Sequence, residues 1–439
     1  MTRVRFAAIP TGHLTVDSGR VALVNDLFAH RNQGQMLLRL DDLDQGGSGP
    51  SPIDQITQDL RWLGIEWHES FRQSERLELY RETIERLKRD NFIYPCFESK
   101  EELTAKQAFR RKHNQPLIYD RAMLSLTDKQ RRDAEAGGKR PHWRFNLSGR
   151  TLEWNDLILG SRHAALSSIS DPVVVRADGT PAPILASVVD DIDYATTHVI
   201  RGCDNAGNTA VQIELFEVLR GGRKPLRFGH LPALNPAQRV LPRGPKIGSL
   251  TLRNLRRDGV EPNVVAACMV GIADEALPLD RLARRLELAD LADGRFEVGA
   301  MLALNRQVLR EMDFAAVADR LPSGATEAFW LAVRGSLDRL KEAHGWWEVV
   351  AGTIVPPVIE GAGDLLLTAG SLLPPEPWDN AVWRNWISAL ERATERTGES
   401  LLEPLCLALT GEDNGPDLAH LLPLIGRPRA ASRLAIAAA

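Results

Sequence analysis

At 439 residues the chain exceeds what one hydrophobic core usually organises, so two or three domains are expected. Its 44% hydrophobic and 26% charged residues suit an ordinary globular protein, and no run approaches the ~18 consecutive apolar residues of a membrane span. No apolar leader follows Met1, and Cys96, Cys203, Cys268 and Cys406 show neither CxxC nor Cys/His spacing. A disulfide framework, a zinc site and a membrane partner are therefore not expected, and a reducing cytoplasm is. The net charge of −4 is distributed unevenly. Residues 100–144 carry twelve Lys/Arg against six Asp/Glu, whereas residues 320–439 carry ten against fifteen. The first segment can meet phosphates and the second repels them, unless both merely solvate exposed helices.

In chain order, residues 4–8 predict a short buried strand running into the turn Pro10-Thr11-Gly12. From Val16 the apolar positions Val21, Leu23, Val24, Leu27 and Phe28 predict a helix. A strand–turn–helix of this kind offers helix N-terminal N–H groups and a glycine turn to a phosphate. Residues 35–40 predict a second strand that ends at Asp41-Asp42-Leu43-Asp44. A glycine-rich loop and the Ser51-Pro52 cap then open a helix with Ile53, Ile56, Leu60 and Leu63 on one face. Another helix covers 77–88, a polar and mostly helical insertion covers 100–144, and strands begin at His142 and Asp171. Residues 187–193 and 197–202 bracket the return to the sheet, 209–219 is helical, and everything periodic beyond about 250 is helical. The pattern is an α/β nucleotide-binding part carrying an insertion, followed by an all-helical part.

A dozen segments in this order resemble the glutamyl-tRNA synthetases, a family of class I aminoacyl-tRNA synthetases. They include Arg5-Phe6-Ala7 with Pro10-Thr11-Gly12; Leu38-Arg39-Leu40-Asp41-Asp42; Asp59-Leu60-Arg61-Trp62-Leu63-Gly64; Tyr94-Pro95-Cys96; and Tyr119-Asp120-Arg121. Further along come Ser170-Asp171-Pro172-Val173, His198-Val199-Ile200-Arg201-Gly202, His230-Leu231-Pro232 and Leu407-Ala408-Leu409-Thr410-Gly411. The resemblance implies an α/β Rossmann-type catalytic domain over 1–235, with an acceptor-stem-binding subdomain inserted at about 68–170. It also implies a helical stem-contact region over 236–319 and an all-α anticodon-binding-like domain over 320–439. The implied reaction joins glutamate to tRNA at the expense of ATP with Mg2+, through glutamyl-adenylate, in a monomer. Its partners would be tRNA and glutamate or a related small acid.

Adenylate formation needs donors and positive charge around the triphosphate. The family supplies them through a His-Ile/Leu-Gly-His/Gly signature at the first helix, and here the matching positions are Thr15, Val16, Asp17 and Ser18. Asp17 sets a negative charge where polyphosphate would lie, and His13 is two residues off and expected to face elsewhere. The family's mobile Lys-Leu-Ser-Lys-Arg loop corresponds to Pro242-Arg243-Gly244-Pro245-Lys246, of which Lys246 keeps its charge. Nucleotide contacts would fall to Thr11, Gly12, Arg243 and Lys246. In the amino-acid pocket Arg5 and Arg201 match arginines that hold carboxylates, and Asp41 shortens the Glu expected to meet the amino group. Ile9 stands for a serine, Pro183 for a tyrosine on an expected strand, Ser187 for an asparagine, and Cys203-Asp204-Asn205 for Glu-Asp-His. In the C-terminal part Thr397, Glu399, Cys406, Glu412 and Asn414 replace basic residues or histidine, which weakens the expected tRNA footprint.

Losing one transition-state donor costs ~3–4 kcal/mol, or 10²–10³ in rate. Three readings follow. The residues favour a diverged paralogue with activation lost or much reduced, retained for tRNA or another partner. The alternatives are a glutamate–tRNA ligase with unorthodox ATP contacts, and a related ligase that activates a different small acid.

Overall fold

A computed structural model describes residues 1–44, 50–220, 226–236, 250–378 and 381–439. Two compact units emerge, one of Met1–Arg253, Ala266–Ile272 and Leu277–Glu297, the other of Asn254–Val265, Ala273–Ala276 and Val298–Ala439.

The first unit is built on β1 (Arg3–Ala8), α1 (Val16–Arg31), β2 (Gln35–Leu40), α2 (Pro50–Trp62) and β3 (Glu69–Arg72). β2 is buried on both faces from Met36 to Leu40, as a central parallel strand must be, and it pairs in parallel with β1 and β3. α1 starts where Thr15 caps it, its hydroxyl accepting from the Ser18 N–H at 3.2 Å. It carries Asp17 in its first turn and His30 and Arg31 in its last, the order that suits the helix dipole.

The chain then leaves this sheet. α3 (Leu77–Arg89), β4 (Ile93–Cys96), α4 (Lys100–Lys112), α5 (Asp128–Ala136), β5 (His142–Phe145), β6 (Thr151–Asp156), β7 (Gly160–Ala165) and β8 (Val173–Val175) follow. β4, β5 and β8 form an antiparallel sheet, and β6 with β7 a hairpin that periodicity had not disclosed. α4 and α5 bury no residue, and each opens with a capping box, Ser99/Glu102 and Thr127/Gln130. α4 carries a net positive charge, mostly exposed although Lys106 pairs with Glu98 and Asp120, whereas in α5 three acidic residues balance three basic ones.

α6 (Pro183–Asp193), β9 (His198–Gly202), α7 (Thr209–Arg220) and β10 (Arg227–Leu231) complete the unit. Pro183 was expected on a strand. It is instead the first residue of α6, where its fixed φ suits the helix and no amide donor is needed. β9 pairs in parallel with β10 and runs beside β1, the Thr197 N–H donating to the Arg3 carbonyl at 2.9 Å. The lateral order is therefore β3-β2-β1-β9-β10. The strand order reverses between β1 and β9, and at that switch point the carboxyl ends of the strands leave a crevice.

The second unit is helical, centred on the fully buried Trp330 and Trp386. Their indole N–H groups donate to the carbonyls of Met312 (2.8 Å) and Ala369 (3.0 Å), so neither ring buries an unmet donor. Buried Arg433 donates to the carbonyls of Leu409 and Val349, each at 2.7 Å. Leu407-Ala408-Leu409-Thr410 ends the helix Glu399–Thr410, and Gly411 closes it at φ 78°. Among the described residues, no helix is long and apolar enough to cross a membrane.

One buried charge in α1 is a liability. Asp26 is 1% exposed, and burial, reinforced by Glu66, raises its carboxyl to about 7. The unfolded chain ionises this group near pH 4, so the folding penalty accumulates from there and is complete above about pH 7. Asp26→Asn should stabilise the protein by up to about 4 kcal/mol at pH 8, and the gain should vanish near pH 4, as urea unfolding at the two pH values would show.

Candidate active site

A cavity of about 640 Å³ opens at the switch point of the first unit. Ala8 and Ile9 at the end of β1, Arg201 and Gly202 at the end of β9, and the first turn of α1 line it. The turn that leads into it holds Gly12 at φ +132°, a conformation that only glycine adopts without strain. Thr11, Gly12, Thr15, Asp17, Ser18, Arg5, Asp41, Ser187 and Arg201 all border this one space. Pro242, Arg243, Pro245 and Lys246 lie outside the described residues.

On the deep side, charges are paired with one exception. Arg5 meets Asp191 of α6 at 2.9 Å, and Arg39 of β2 grips both oxygens of Asp41, at 2.7 and 3.1 Å. Asp41 is thus largely neutralised by Arg39, whose charged form Asp41 and Asp191 stabilise against burial. Arg201 differs. Its Nε donates to His230 Nε2 at 3.1 Å, and its Nη2 donates to the Thr209 hydroxyl (3.0 Å) and the Asn205 carbonyl (3.1 Å). Among the described residues no carboxylate forms an ion pair with it. Burial and the neighbouring Arg5 lower its guanidinium to about 9. A cation so placed keeps its Nη1 N–H groups for a carboxylate and gains charge compensation in binding one.

The α1 side is arranged differently. An uncapped helix N-terminus would offer its amides to a phosphate. Here the Val16 N–H donates to the Leu250 carbonyl (2.9 Å), the Ser18 N–H to Thr15 Oγ1, and the Gly19 N–H to the Thr15 carbonyl (2.8 Å). Asp17 is exposed at the rim, its carboxylate accepting from the Leu234 N–H at 2.6 Å. His13 does line the cavity, contrary to expectation, because Asp59 accepts from its Nδ1 at 3.2 Å and from the Leu14 N–H at 3.0 Å, which holds the loop.

Several groups here were not singled out from sequence. Asp191 supports Arg5 directly. Asp156 at the end of β6 is wholly invisible to motif reading, because it reaches His230 only through the hairpin. Burial would raise its carboxyl, but His230 and the N–H groups of Leu159, Ile158 and His230 outweigh this and hold it near 2. That depression stabilises the fold fully above about pH 4, and the contribution is lost as pH falls through 2. Asp156→Asn should therefore cost about 2 kcal/mol at pH 7, and the gap to the parent should close as unfolding is followed down to pH 2.

Residues 1–277 match the family profile of class I tRNA synthetases (E and Q), catalytic domain, and residues 363–438 match the anticodon binding domain. Glutamate–tRNA ligase 2 of Acidiphilium cryptum is 50% identical over 100% of both chains. The protein of the same name from Granulibacter bethesdensis is 48% identical over 99% of this chain and 98% of its own. In fold the chain is similar to a glutamate tRNA ligase of Elizabethkingia meningosepticum, solved in complex with its amino acid (TM-score 0.79, 24% identity, 99% of each chain covered).

Proposed function

The chain belongs to the glutamate–tRNA ligase family of class I tRNA synthetases, and from that premise we propose that it keeps the family's hold on a small acid while its ATP-dependent activation is lost or strongly reduced. Arg201, with Arg5 behind it, receives a carboxylate of glutamate or a close relative. The nucleotide side carries the loss, and one observation supports it above all. The first turn of α1 is largely occupied: the amides of Val16, Ser18 and Gly19 are bonded to Leu250 and Thr15, and Asp17 charges the rim.

A triphosphate brought to this turn meets a carboxylate in place of donors, and it must compete for amides that are already bonded. Thr11, Gly12, Thr15 and Ser18 supply two sets of short neutral donors; Arg243 and Lys246 are the cations we assign to the nucleotide. Several missing donors do not act additively, but each belongs to the class whose removal costs 10²–10³ in rate, on the order of 3–4 kcal/mol. Magnesium would arrive with the nucleotide as its counter-ion; among the described residues no cluster of three or more His, Cys, Asp or Glu is set to hold a metal.

We assign tRNA contact to the basic segment 100–144, which carries the exposed helices α4 and α5, and anticodon contact, weakened by Glu399 and Glu412, to residues 320–439. Four unpaired cysteines accord with a cytoplasmic protein. A second reading, an active glutamate–tRNA ligase with unorthodox ATP contacts, draws on the full-length likeness to proteins named glutamate–tRNA ligase 2. A third, activation of another small acid, draws on Ile9, Pro183 and Ser187 in the cavity wall.

Pyrophosphate exchange with glutamate and tRNA present separates these readings. The expected rate is at least about a hundredfold below that of a ligase bearing the full histidine and lysine signatures, and Thr15→His with Asp17→Gly should raise it by about tenfold or more. Exchange at an ordinary rate would favour the second reading, and exchange with a different acid the third. Gel-shift with tRNA should show binding that weakens steeply between 50 and 200 mM salt, roughly as log K against log salt with a slope set by the phosphates neutralised. Binding that ignores salt would contradict the role given to α4 and α5.

A further inference from the structure

The unpaired guanidinium at the cavity is not free to choose its direction, and what holds it is a buried chain of polar groups that reaches the wall of the hairpin. Asp156 is 2% and His230 1% exposed. The Oδ1 of Asp156 accepts from the N–H groups of Ile158 (3.0 Å), Leu159 (3.0 Å) and His230 (3.1 Å). Three donors on one oxygen keep the carboxylate ionised, so its other oxygen, 2.5 Å from His230 Nδ1, can only accept. The imidazole proton must then sit on Nδ1. Nε2 is left as a lone-pair acceptor, and it faces Arg201 Nε at 3.1 Å, a group that can only donate. The Thr209 hydroxyl, 3.0 Å from both Nε2 and Arg201 Nη2, closes the ring of contacts. Phe228 lies under the guanidinium, its ring centroid 5.6 Å from the Arg201 Cζ.

We propose that Asp156 and His230 act as a positioning relay for Arg201: Asp156 fixes the tautomer of His230, and His230 fixes the Nε edge of the guanidinium, so that Nη1 is presented to the substrate carboxylate. His230 is thus a positioning residue for ligand recognition. The inference rests on the reading that Arg201 receives a carboxylate. Its physical logic is local. A guanidinium anchored at Nε has lost its rotational freedom before the ligand arrives, and less ordering entropy opposes a two-point contact. Without the acceptor at Nε2, the buried Nε–H would have to turn toward Thr209, the Asn205 carbonyl or the ligand itself, and the fork would no longer be held in one plane.

The relay and its consequence are tested separately. In the ligand-free, full-length protein, nitrogen-15 NMR of the histidine ring should show His230 as the neutral Nδ1–H tautomer, and Asp156→Asn should change that tautomer balance. An Nε2–H tautomer in the parent overturns the proposal whatever the ligand is. Calorimetry with glutamate should then show His230→Leu weakening affinity by about tenfold or more, with His230→Gln, which keeps an acceptor near Nε2, recovering most of the loss. In an Arg201→Ala background His230→Leu should have no further effect. For one of the two probes glutamine and glutamate α-amide, each lacking one carboxylate, the His230→Leu effect should disappear. A purely structural role for His230 would weaken all three ligands alike and persist without Arg201; that result overturns the proposal. Should the parent show the expected tautomer yet bind no glutamate, the relay stands and the substrate reading falls.

Discussion

A half-buried cation with no ion-paired carboxylate among the described residues is the constraint on which the site is organised. Arg5 and Arg39 reach the same crevice, but Asp191 and Asp41 compensate them. Arg201 is left with neutral acceptors alone, and burial drives its guanidinium down to about 9. Such a site is under electrostatic tension, which a small anionic ligand relieves and a neutral one does not. The switch point between β1 and β9 creates the crevice, those two strands deliver Arg5 and Arg201, and the hairpin β6–β7 supplies Asp156 behind them.

The other half of the cavity is quiet by comparison. The first turn of α1 is a well-finished helix start: a threonine cap, an acid in the first turn, and an incoming carbonyl from Leu250. Each of these stabilises the helix, and each removes something that a triphosphate would use. Asp17 shows the exchange most plainly, since its carboxylate serves the Leu234 amide. In our proposal the local physics that makes α1 stable also makes it a poor nucleotide cradle, so that binding of the acid and activation by ATP have come apart in this protein.

Much of the scaffold was legible in the sequence because it follows period and punctuation. The strand of residues 35–40, the helix beginning at Val16 and the Pro10-Thr11-Gly12 turn needed no tertiary information. Pro183 misled, because a proline can open a helix as readily as it can border a strand, and only the sheet around it decides. The hairpin Thr151–Ala165 escaped because Thr151, Glu153 and Gly160 to His163 are polar and exposed enough to imitate a loop. Within the site, residues that act alone carry a sequence signal, and residues that act through another do not. Arg201 stands in a quotable segment, but its dependence on Asp156, 45 positions earlier in the chain, exists only once β6 and β10 lie together. His13 was misjudged for the same reason: Asp59, on a different helix, sets its direction.

The central claim is that the acid side of the cavity is intact while the nucleotide side is not. The most direct measurement is calorimetric titration of the same protein preparation with glutamate and, separately, with Mg2+ and a non-hydrolysable ATP analogue. The account predicts saturable glutamate binding that is markedly weakened, yet still measurable, in Arg201→Ala, and nucleotide binding in the millimolar range or weaker. Tight nucleotide binding together with no detectable binding of glutamate would contradict it.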